Sequence, residues 1–519
     1  MEPIDKINSF IADSRVDEIV YDLKSVLMKD GKMPVYSDIY KEEDGKIYQY
    51  VNYVQEGGGV LGIALVGYTY VLEKLGFRFA KLAGTSAGAI NTILLASINK
   101  ENYPKLINEK VETQSEIILH ELLSYDLWNL VDGSKFGRLL INLAVNKMSR
   151  LIFFILLLIT SLIIPLGYAV INCVSIVFDF TIPQFVMSII FYTTVLSILI
   201  LLVGVFIILY YLNRFDRSGF GINPGNTFYD WIKNILNSNK VQNSDDLQDI
   251  MKKRFQGLKL RHTNERLQGE GIESTTEITL PYLTIVTSDI TNQIKVEFPS
   301  MAKEYWSKED LESLNPATFV RASMSIPIFF SPLRVDVNEE VIANSYLQQE
   351  RMVSTQFSKI KSKQNDLTSY KVRFVDGGIL SNFPISVFHN PNIKIARMPT
   401  FGVRLEDKPH LMGGRIEKLR LKFFPFLYRI FNTVRFNYDK DFLKKYAVYQ
   451  KCIGHIDVSK FNWLDFGLNN EEKIAMFRKG AEAAKTFLLG GDVWIDGRKY
   501  EFGKFDWEKF KRERSEIAD

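Results

Sequence analysis

The sequence has few cysteines and few histidines for its length. Of 519 residues, two are cysteine and five are histidine. Cys173 lies in an apolar run and Cys452 in a mixed segment, so a disulfide framework is excluded and a reducing compartment is expected. No cluster of residues has the spacing of metal ligands, and we expect neither a metal nor another cofactor. The net charge of +4 is too small to favour nucleic-acid binding.

Charged residues are absent from two long stretches. Residues 151–178 contain none, and a second uncharged run, residues 180–212, is interrupted only by Pro183 and Gln184. A helix needs about 20 apolar residues to cross a bilayer. The sequence therefore predicts a transmembrane hairpin with spans at about 151–178 and 185–212. The alternative is a pair of buried core helices.

The charges that flank the two runs predict their orientation. Lys147 and Arg150 precede the first run, and Arg214 and Arg217 follow the second, whereas the short turn carries only Asp179. The positive-inside rule then places both ends in the cytoplasm. The N-terminus is charged and has no apolar core region, so we expect no secretory signal.

A Gly-x-Ser-x-Gly element, Gly84-Thr85-Ser86-Ala87-Gly88, has the pattern of a nucleophile elbow. The short apolar segment 79–83 before it predicts a strand, and residues 87–97 after it predict a helix. Small flanking residues let the backbone turn sharply and leave the Ser86 hydroxyl exposed. The N-terminus of the helix would stabilise a developing negative charge.

Two further motifs contain glycine. The run 57–62 (GGGVLG) follows an apolar strand pattern and lacks the Gly-Lys-Ser/Thr of a phosphate-binding loop. Farther along, an apolar strand ends in Asp376, Gly377 and Gly378, which places a carboxylate at a strand end. Taken alone, the glycine run could form a simple turn, and Asp376 could bind only local backbone.

Together these motifs resemble the patatin-like phospholipase family. The likeness covers about residues 50–140 and 219–490, and it includes the segments 283–290 and 321–332. The matching residues occur in the family's order: Gly57, Gly58, Gly59 and Gly62 in the first loop, Gly84, Ser86 and Gly88 in the elbow, and Asp376, Gly377 and Gly378 after the last strand.

The resemblance implies a three-layer α/β domain with a mainly parallel sheet, and a Ser–Asp dyad in place of a triad. Ser86 would attack an ester carbonyl, Asp376 would act as base and then acid, and N–H groups of Gly57, Gly58 and Gly59 would hold the oxyanion. The family often has Arg or Lys at the position of Leu61, which predicts a different substrate preference or rate. Of the histidines, only His389 lies near Asp376 in sequence, and we expect it to be an ordinary helix or loop residue.

The hairpin interrupts this domain. We expect an N-terminal helical segment (1–45), a first part of the patatin-like domain (46–140), the hairpin insertion (141–218), a second part (219–490) and a charged C-terminal tail (491–519). Within the second part we expect helices from Thr227 and over 469–489, and a helix followed by an exposed loop at 269–274. The segment 415–436 mixes six Arg or Lys with large apolar residues, as an interfacial surface does, or as a core helix with a basic outer face does.

These observations predict a membrane-anchored lipid acyl hydrolase of the phospholipase A or lysophospholipase type, with its catalytic domain facing the cytoplasm. Its substrate would be membrane phospholipid or another lipid ester. A thioesterase or acyltransferase acting on acyl carriers would use the same elbow, because all begin with an acyl-enzyme. A non-enzymatic membrane scaffold is the third possibility. The sequence indicates no particular protein partner.

Overall fold

The computed structural model describes most of the chain. The described residues are 3–107, 111–135, 137–138, 141–142, 148–178, 183–261, 282–338, 369–393, 395–406, 423–495 and 497–517. The loop predicted at 269–274, most of the turn between the two apolar runs, and the first part of the basic segment 415–436 lie outside these residues.

Helices and strands alternate along much of the chain. The helices are α1 (Pro3–Ser14), α2 (Val16–Leu27), α3 (Gly62–Lys74), α4 (Ala87–Ser97), α5 (Pro104–Ile107), α6 (Gln114–Ser124), α7 (Met148–Val177), α8 (Gln184–Ser218), α9 (Asn226–Ser238), α10 (Ser244–Arg254), α11 (Lys308–Ser313), α12 (Ala317–Ser323), α13 (Phe423–Lys445), α14 (Asn470–Leu489) and α15 (Trp507–Ile517). The strands are β1 (Ile39–Glu43), β2 (Lys46–Gln55), β3 (Phe77–Thr85), β4 (Gly221–Asn223), β5 (Lys259–Leu260), β6 (Leu283–Asp289), β7 (Ile294–Phe298), β8 (Ile328–Phe330), β9 (Leu333–Asn338), β10 (Ser369–Asp376), β11 (Thr400–Glu406), β12 (Ile453–Asp457), β13 (Gly491–Ile495) and β14 (Arg498–Phe502).

The central sheet has ten strands, with the main order β12-β11-β2-β3-β6-β10-β9. The pairs from β12 to β6 along this order are parallel, whereas β10 pairs with β6 and β9 in antiparallel fashion. The fold is therefore mixed α/β with a central, mostly parallel sheet, as the sequence predicts. Strand β10, which ends at Asp376, is antiparallel to its neighbour β6.

Helices α3 and α14 pack together so closely that glycine is required at their contact. A Cβ atom at Gly67 would collide with the backbone carbonyl of Phe477, and one at Gly480 would collide with that of Ala64. Real Cβ atoms do not approach backbone oxygens so closely, so either substitution would push the helices apart. Helix α14 begins with a capping box, in which Asn469 and Glu472 satisfy each other's backbone N–H groups.

The chain divides into two compact units. The first comprises Met1–Val131, Gly225–Ile326 and Pro332–Asp519, and the second comprises Asp132–Pro224 and Pro327–Ser331. The second unit contains α7 and α8, together with the parallel pair β4 and β8.

Helices α7 and α8 contain the two apolar runs. Residues Ile155–Val177 and Gln184–Phe206 are long and apolar enough to cross a membrane. Most of their large described side chains are exposed, whereas Ser161, Thr194 and Ser197 are buried. Exposed apolar faces of this kind are not those of a soluble core, in which such side chains would be buried.

The described residues between 491 and 517 form regular structure. The sequence predicts a charged tail at 491–519, but the structure has the hairpin β13–β14 and helix α15 in this segment. The reason is a set of aromatic side chains among the charges: Trp507 and Phe510 are buried. The indole Nε1 of Trp507 donates to Asp38 Oδ1 at 2.8 Å, and Lys511 forms an ion pair with the same carboxylate.

Candidate active site

Ser86 stands at the sharp turn between β3 and α4. Its backbone has φ 53° and ψ −122°, a conformation that non-glycine residues rarely adopt. The turn is held by the N–H of Ser86, which donates to Ser323 Oγ at 2.8 Å, while Ser323 Oγ donates to the carbonyl of Val286 at 2.6 Å. The elbow that the sequence predicts is therefore formed, and strand β6 and the end of α12 support it.

The two glycines of the elbow have no room for a side chain. A Cβ atom at Gly84 would collide with the carbonyl of Gly88, and one at Gly88 would collide with the carbonyl of Gln55 at the end of β2. The close approach of the helix to the strands therefore depends on both positions. This packing fixes where the Ser86 side chain emerges.

The glycine loop follows directly after β2 and lies against Ser86. A Cβ atom at Gly57 would come within 2.9 Å of the Ser86 Cβ. The N–H of Gly57 donates to the carbonyl of Asn382 at 3.0 Å, so it is already occupied. The sequence predicts that the N–H of Gly57 binds the oxyanion, but in this structure that N–H is used by its hydrogen bond to Asn382. Within the part of the chain that the structure describes, no hydrogen bond uses the N–H of Gly58 or Gly59.

Gly58 and Gly59 have conformations that a side chain would disturb. Gly59 has φ +56°, and a Cβ atom there would collide with the carbonyl of Trp463. A Cβ atom at Gly58 would collide with the side chain of Leu405. A Cβ atom at Gly62, the first residue of α3, would make only an ordinary contact with Ala87. The loop is therefore packed tightly on both sides.

Asp376 ends strand β10, and sheet register brings it to the level of Ser86. Thr85 pairs with Val286 on β6, and the next residue of β6, Thr287, pairs with Asp376. Ser86 and Asp376, 290 positions apart in sequence, thus lie at the ends of β3 and β10, the two strands that flank β6.

The Asp376 carboxylate is 7% exposed. Its Oδ1 accepts a hydrogen bond from the N–H of Gly378 at 2.7 Å, whereas Oδ2 has no hydrogen-bond partner among the described residues. Burial raises the pKa of Asp376 to about 6, although the Ser86 hydroxyl, the Gly378 N–H and the charge of Arg435 each oppose the rise. A carboxylate with this pKa is a better proton acceptor than an ordinary aspartate.

The Ser86 hydroxyl does not donate to Asp376 in this structure. Its Oγ donates instead to Met324 Sδ at 3.3 Å. The hydroxyl is nevertheless near enough to Asp376 to lower the pKa of that carboxylate.

Helix α13 forms hydrogen bonds to the loop that follows Asp376, and the sequence does not predict this contact. Arg435 Nε donates to the carbonyl of Gly378 at 2.8 Å. One turn later, Asp439 accepts from Ser381 Oγ at 2.6 Å and from the N–H of Phe383 at 2.9 Å. Burial raises the pKa of Asp439 to about 6. Helix α13 contains two acidic residues, Asp439 and Asp441, among its basic ones, and nothing in the sequence distinguishes Asp439 from Asp441.

A buried charge network supports the glycine loop. Glu56 accepts from the N–H of Leu405 at 2.7 Å and from Asn382 Nδ2 at 3.2 Å, and Arg404 lies 3.7 Å away. Burial raises the pKa of Glu56 to about 7, and the charge of Arg404 opposes this. The same Asn382 Nδ2 also donates to the carbonyl of Gly57 at 3.1 Å. The network therefore fixes the loop next to Ser86.

His389 lies in a different environment. Its Nδ1 is 2.9 Å from the hydroxyl of Tyr449, and its ring packs against Tyr446 and Phe442. Burial lowers its pKa to about 4. These contacts agree with the prediction of an ordinary structural residue.

A narrow apolar cleft opens beside Ser86. It is about 40 Å³ in volume and is lined mainly by apolar side chains, among them Ile63, Ile90, Phe228, Trp231, Met324 and Phe466. Ordinary small-molecule pockets measure about 300–1,000 Å³. An acyl chain could enter this cleft only if side chains moved aside, and Met324, which also contacts Ser86, is the flexible one among them.

Comparison with known proteins identifies the family of this chain. The family model described as patatin-like phospholipase matches residues 54–389, which include all the motif residues above. The chain belongs to this family. It is 25% identical over 439 residues to the uncharacterised protein YqhO of Bacillus subtilis (strain 168), a match that covers 85% of this chain and 98% of that protein. It is also similar to the crystal structure of VipD from Legionella pneumophila, with 15% identity, 93% of this chain and 74% of that chain covered, and a TM-score of 0.30.

Proposed function

We propose that this protein is a membrane-anchored serine lipid acyl hydrolase that uses Ser86 as nucleophile and Asp376 as general base. Family membership supports lipid acyl hydrolysis in general. The observation that carries the finer proposal is the pairing of a serine on a strained turn with a buried carboxylate whose Oδ2 has no partner among the described residues. Strain and unpaired buried polar atoms are uncommon, and both are typical of functional sites.

In the proposed reaction, Asp376 Oδ2 accepts the proton of the Ser86 hydroxyl while Oγ forms a bond to the ester carbonyl carbon. The tetrahedral intermediate then collapses, the ester C–O bond breaks, and Asp376 returns the proton to the leaving alcohol. A water molecule, deprotonated by Asp376, next attacks the acyl-enzyme. The bond between Ser86 Oγ and the acyl carbon then breaks, Asp376 returns the proton to Oγ, and the fatty acid leaves. The raised pKa of Asp376 suits both directions of proton transfer.

The oxyanion would be held by backbone N–H groups. Those of Gly58 and Gly59 are the candidates, because the N–H of Gly57 already donates to Asn382. The N-terminus of α4, which begins directly after Ser86, adds a favourable dipole. The role of Gly57 would be steric, because the absence of a side chain there lets the loop approach Ser86 closely.

The apolar cleft beside Ser86 supports an acyl chain as the group transferred. We propose a phospholipid or lysophospholipid as the ester. No contact in the described part of the chain favours an acyl carrier, and the acyltransferase alternative is an outcome of the test below.

We also propose that α7 and α8 cross the membrane as a hairpin inserted between the two halves of the patatin-like domain, at about residues 141–218. Their length, apolar composition and exposed apolar side chains support this. The flanking Lys and Arg residues favour a cytoplasmic location for both halves. An anchored enzyme meets lipid substrate at high local concentration.

Lipid mass spectrometry tests the activity. Cells that express the parent protein should lose specific phospholipids and gain fatty acids, whereas cells that express Ser86→Ala at equal level should not. Accumulation of acyl-transfer products in place of free fatty acids would indicate an acyltransferase. Identical lipid profiles for the two proteins would contradict hydrolysis and favour the scaffold.

A deletion tests the anchor. Replacing residues 151–212 with a short flexible linker should move the protein from the membrane to the soluble fraction. Hydrolysis of short soluble esters should remain, because Ser86, Asp376 and the glycine loop lie outside the deleted segment. Hydrolysis of vesicle lipid should fall. A shortened protein that stays membrane-bound at high salt would contradict the proposed hairpin.

A further inference from the structure

A cavity of about 330 Å³ lies at the edge of the central sheet, along strand β12. Its walls come from β12, the hairpin β13–β14, helices α13 and α14 and the start of α15. This volume falls within the range of about 300–1,000 Å³ that is usual for small-molecule sites. We call it the edge cavity. It shares no lining residue with the apolar cleft beside Ser86.

The lining of the edge cavity has more cations than anions. The cations are Arg404, Lys440, Lys451, Lys504 and Lys509, and the carboxylates are Glu501 and Asp506. Lys451 is neutralised by Glu513, at 2.6 Å. One carboxylate oxygen of Asp506, Oδ1, already accepts a hydrogen bond from the backbone N–H of Lys509. The remaining side chains favour an anionic occupant.

Lys440 is the clearest sign of such an occupant. Its side chain is partly buried, and its ammonium lies over the ring of Phe436 at 5.2 Å. It forms no ion pair with a carboxylate in the described part of the chain. Burial lowers its pKa, and repulsion from Arg404 and Lys444 adds to the effect. An anion between Lys440 and Arg404 would relieve this repulsion.

Arg404 can contribute a second donor. It is 9% exposed and contacts Glu56 at 3.7 Å and Glu406 at 3.6 Å, which are long distances for ion pairs. Its Nε has no hydrogen-bond partner among the described residues. Arg404 also lines the edge cavity, and arginine and lysine together are the usual ligands of phosphate groups.

We propose that the edge cavity binds a phosphate that carries hydroxyl groups, of the glycerol phosphate or sugar phosphate class. Arg404, Lys440 and a rim lysine bind the phosphate oxygens. Glu501 and Asp506 accept hydrogen bonds from the hydroxyl groups, since a carboxylate is an acceptor and would repel a second phosphate. Such a group occurs both as a free metabolite and as the headgroup of a lipid, and the two sources are separated by experiment.

The first arm uses the soluble ligand. The full chain carries Ser86→Ala, so that the result does not depend on hydrolysis. It is placed in phosphatidylcholine nanodiscs and titrated with glycerol 3-phosphate by calorimetry. We expect saturable binding that weakens as salt increases. Lys440→Gln should weaken it at least about tenfold, as loss of a charge-assisted contact does. Lys509 is an exposed residue at the rim of the cavity, and Lys509→Gln should weaken binding less than Lys440→Gln does.

The matched control is Lys485→Gln, which removes an exposed lysine of α14 that pairs with Asp22 and does not line the cavity. It should bind as the parent does.

The second arm uses nanodiscs of phosphatidylcholine mixed with phosphatidylinositol, and native mass spectrometry counts the phosphatidylinositol molecules retained by each variant. Binding in the first arm alone identifies a soluble ligand, and retention in the second identifies a headgroup. Absence of both, or equal binding by the parent and Lys440→Gln, would overturn the proposal.

Discussion

The Oγ atom of Ser86 lies 3.3 Å from Sδ of Met324 and donates its hydrogen bond to that sulfur. The nearby Oδ2 of Asp376 has no partner among the described residues. In the proposed mechanism the hydroxyl must leave the sulfur before Asp376 can accept its proton. Met324 also lines the apolar cleft. Entry of an acyl chain would therefore displace the Met324 sulfur and, in the same step, free the Ser86 hydroxyl from its hydrogen bond to that sulfur.

Met324→Leu should therefore preserve or increase turnover on a small soluble ester. The substitution keeps the volume and removes the acceptor, and a released hydrogen bond of about 1 kcal/mol corresponds to an increase of up to about fivefold. Steady-state kinetics gives the result. The control is Met301→Leu, which removes a similar sulfur contact, at 3.4 Å from the N–H of Glu297, away from Ser86. A hundredfold loss for Met324→Leu alone would show that the sulfur positions Ser86 for reaction.

Asp376→Asn should remove activity and make the protein more stable. Activity should fall by about 10²–10⁴-fold, the usual contribution of a general base. Burial raises the pKa of Asp376 from 3.8 to about 6, so the folded state binds the proton more tightly than the unfolded state does. The charged form therefore destabilises the fold above about pH 6, and this effect is absent below about pH 4.

At pH 7 a neutral asparagine should raise the free energy of unfolding by up to about 3 kcal/mol. Thermal melting of the parent and Asp376→Asn at pH 4 and pH 7 tests the sign, and the gain should be confined to the higher pH. A variant that melts earlier at pH 7 would indicate that Asp376 stabilises the fold, which contradicts its proposed role.

Sequence patterns located the parts of this site that are close together along the chain. The elbow around Ser86 and the glycine loop depend on local backbone demands, and only glycine meets these at Gly84 and Gly88. The end of β10 at Asp376 was also visible as an apolar run followed by two glycines. The two helices in the insertion were evident because no charge interrupts them.

What supports the site from a distance could not be predicted. Ser323, Arg435 and Asp439 each act through one or two hydrogen bonds to segments that are remote in sequence, and such contacts leave no periodic signal. The hydrogen bond from Gly57 to Asn382 depends on where the chain returns after β10. For the same reason the buried aromatic residues of α15 were concealed within a charged segment.

Arg435→Gln should shift the pH dependence of the enzyme. The positive charge of Arg435 lowers the pKa of Asp376, so its removal lets that pKa rise further above its usual value. Because the base must be deprotonated, the acidic limb of kcat/KM should move to higher pH. Activity should fall several-fold near pH 6 and change little near pH 8. Arg435→Lys is the control, since it keeps the charge but loses the Nε hydrogen bond to Gly378. An unchanged acidic limb in Arg435→Gln would contradict the electrostatic link.

Gly59→Ala should slow the chemical step more than it weakens substrate binding. A Cβ atom at Gly59 meets the carbonyl of Trp463 and is strained at φ +56°, so the loop N–H groups must turn away. Loss of one oxyanion donor costs about 10²–10³-fold in turnover. Gly503→Ala, where a Cβ atom meets nothing within 4 Å, is the matched control. A Gly59→Ala enzyme with normal kcat and a raised KM would show that the loop serves binding.

The central claim is that Ser86 is the nucleophile, and covalent labelling tests it most directly. The full chain is treated with a fluorophosphonate probe, digested, and examined by mass spectrometry. The account predicts one labelled peptide, with the modification on Ser86, no labelling of Ser86→Ala, and strongly reduced labelling of Asp376→Asn. Equal labelling of the parent and Ser86→Ala, or a modification on another serine, would contradict it.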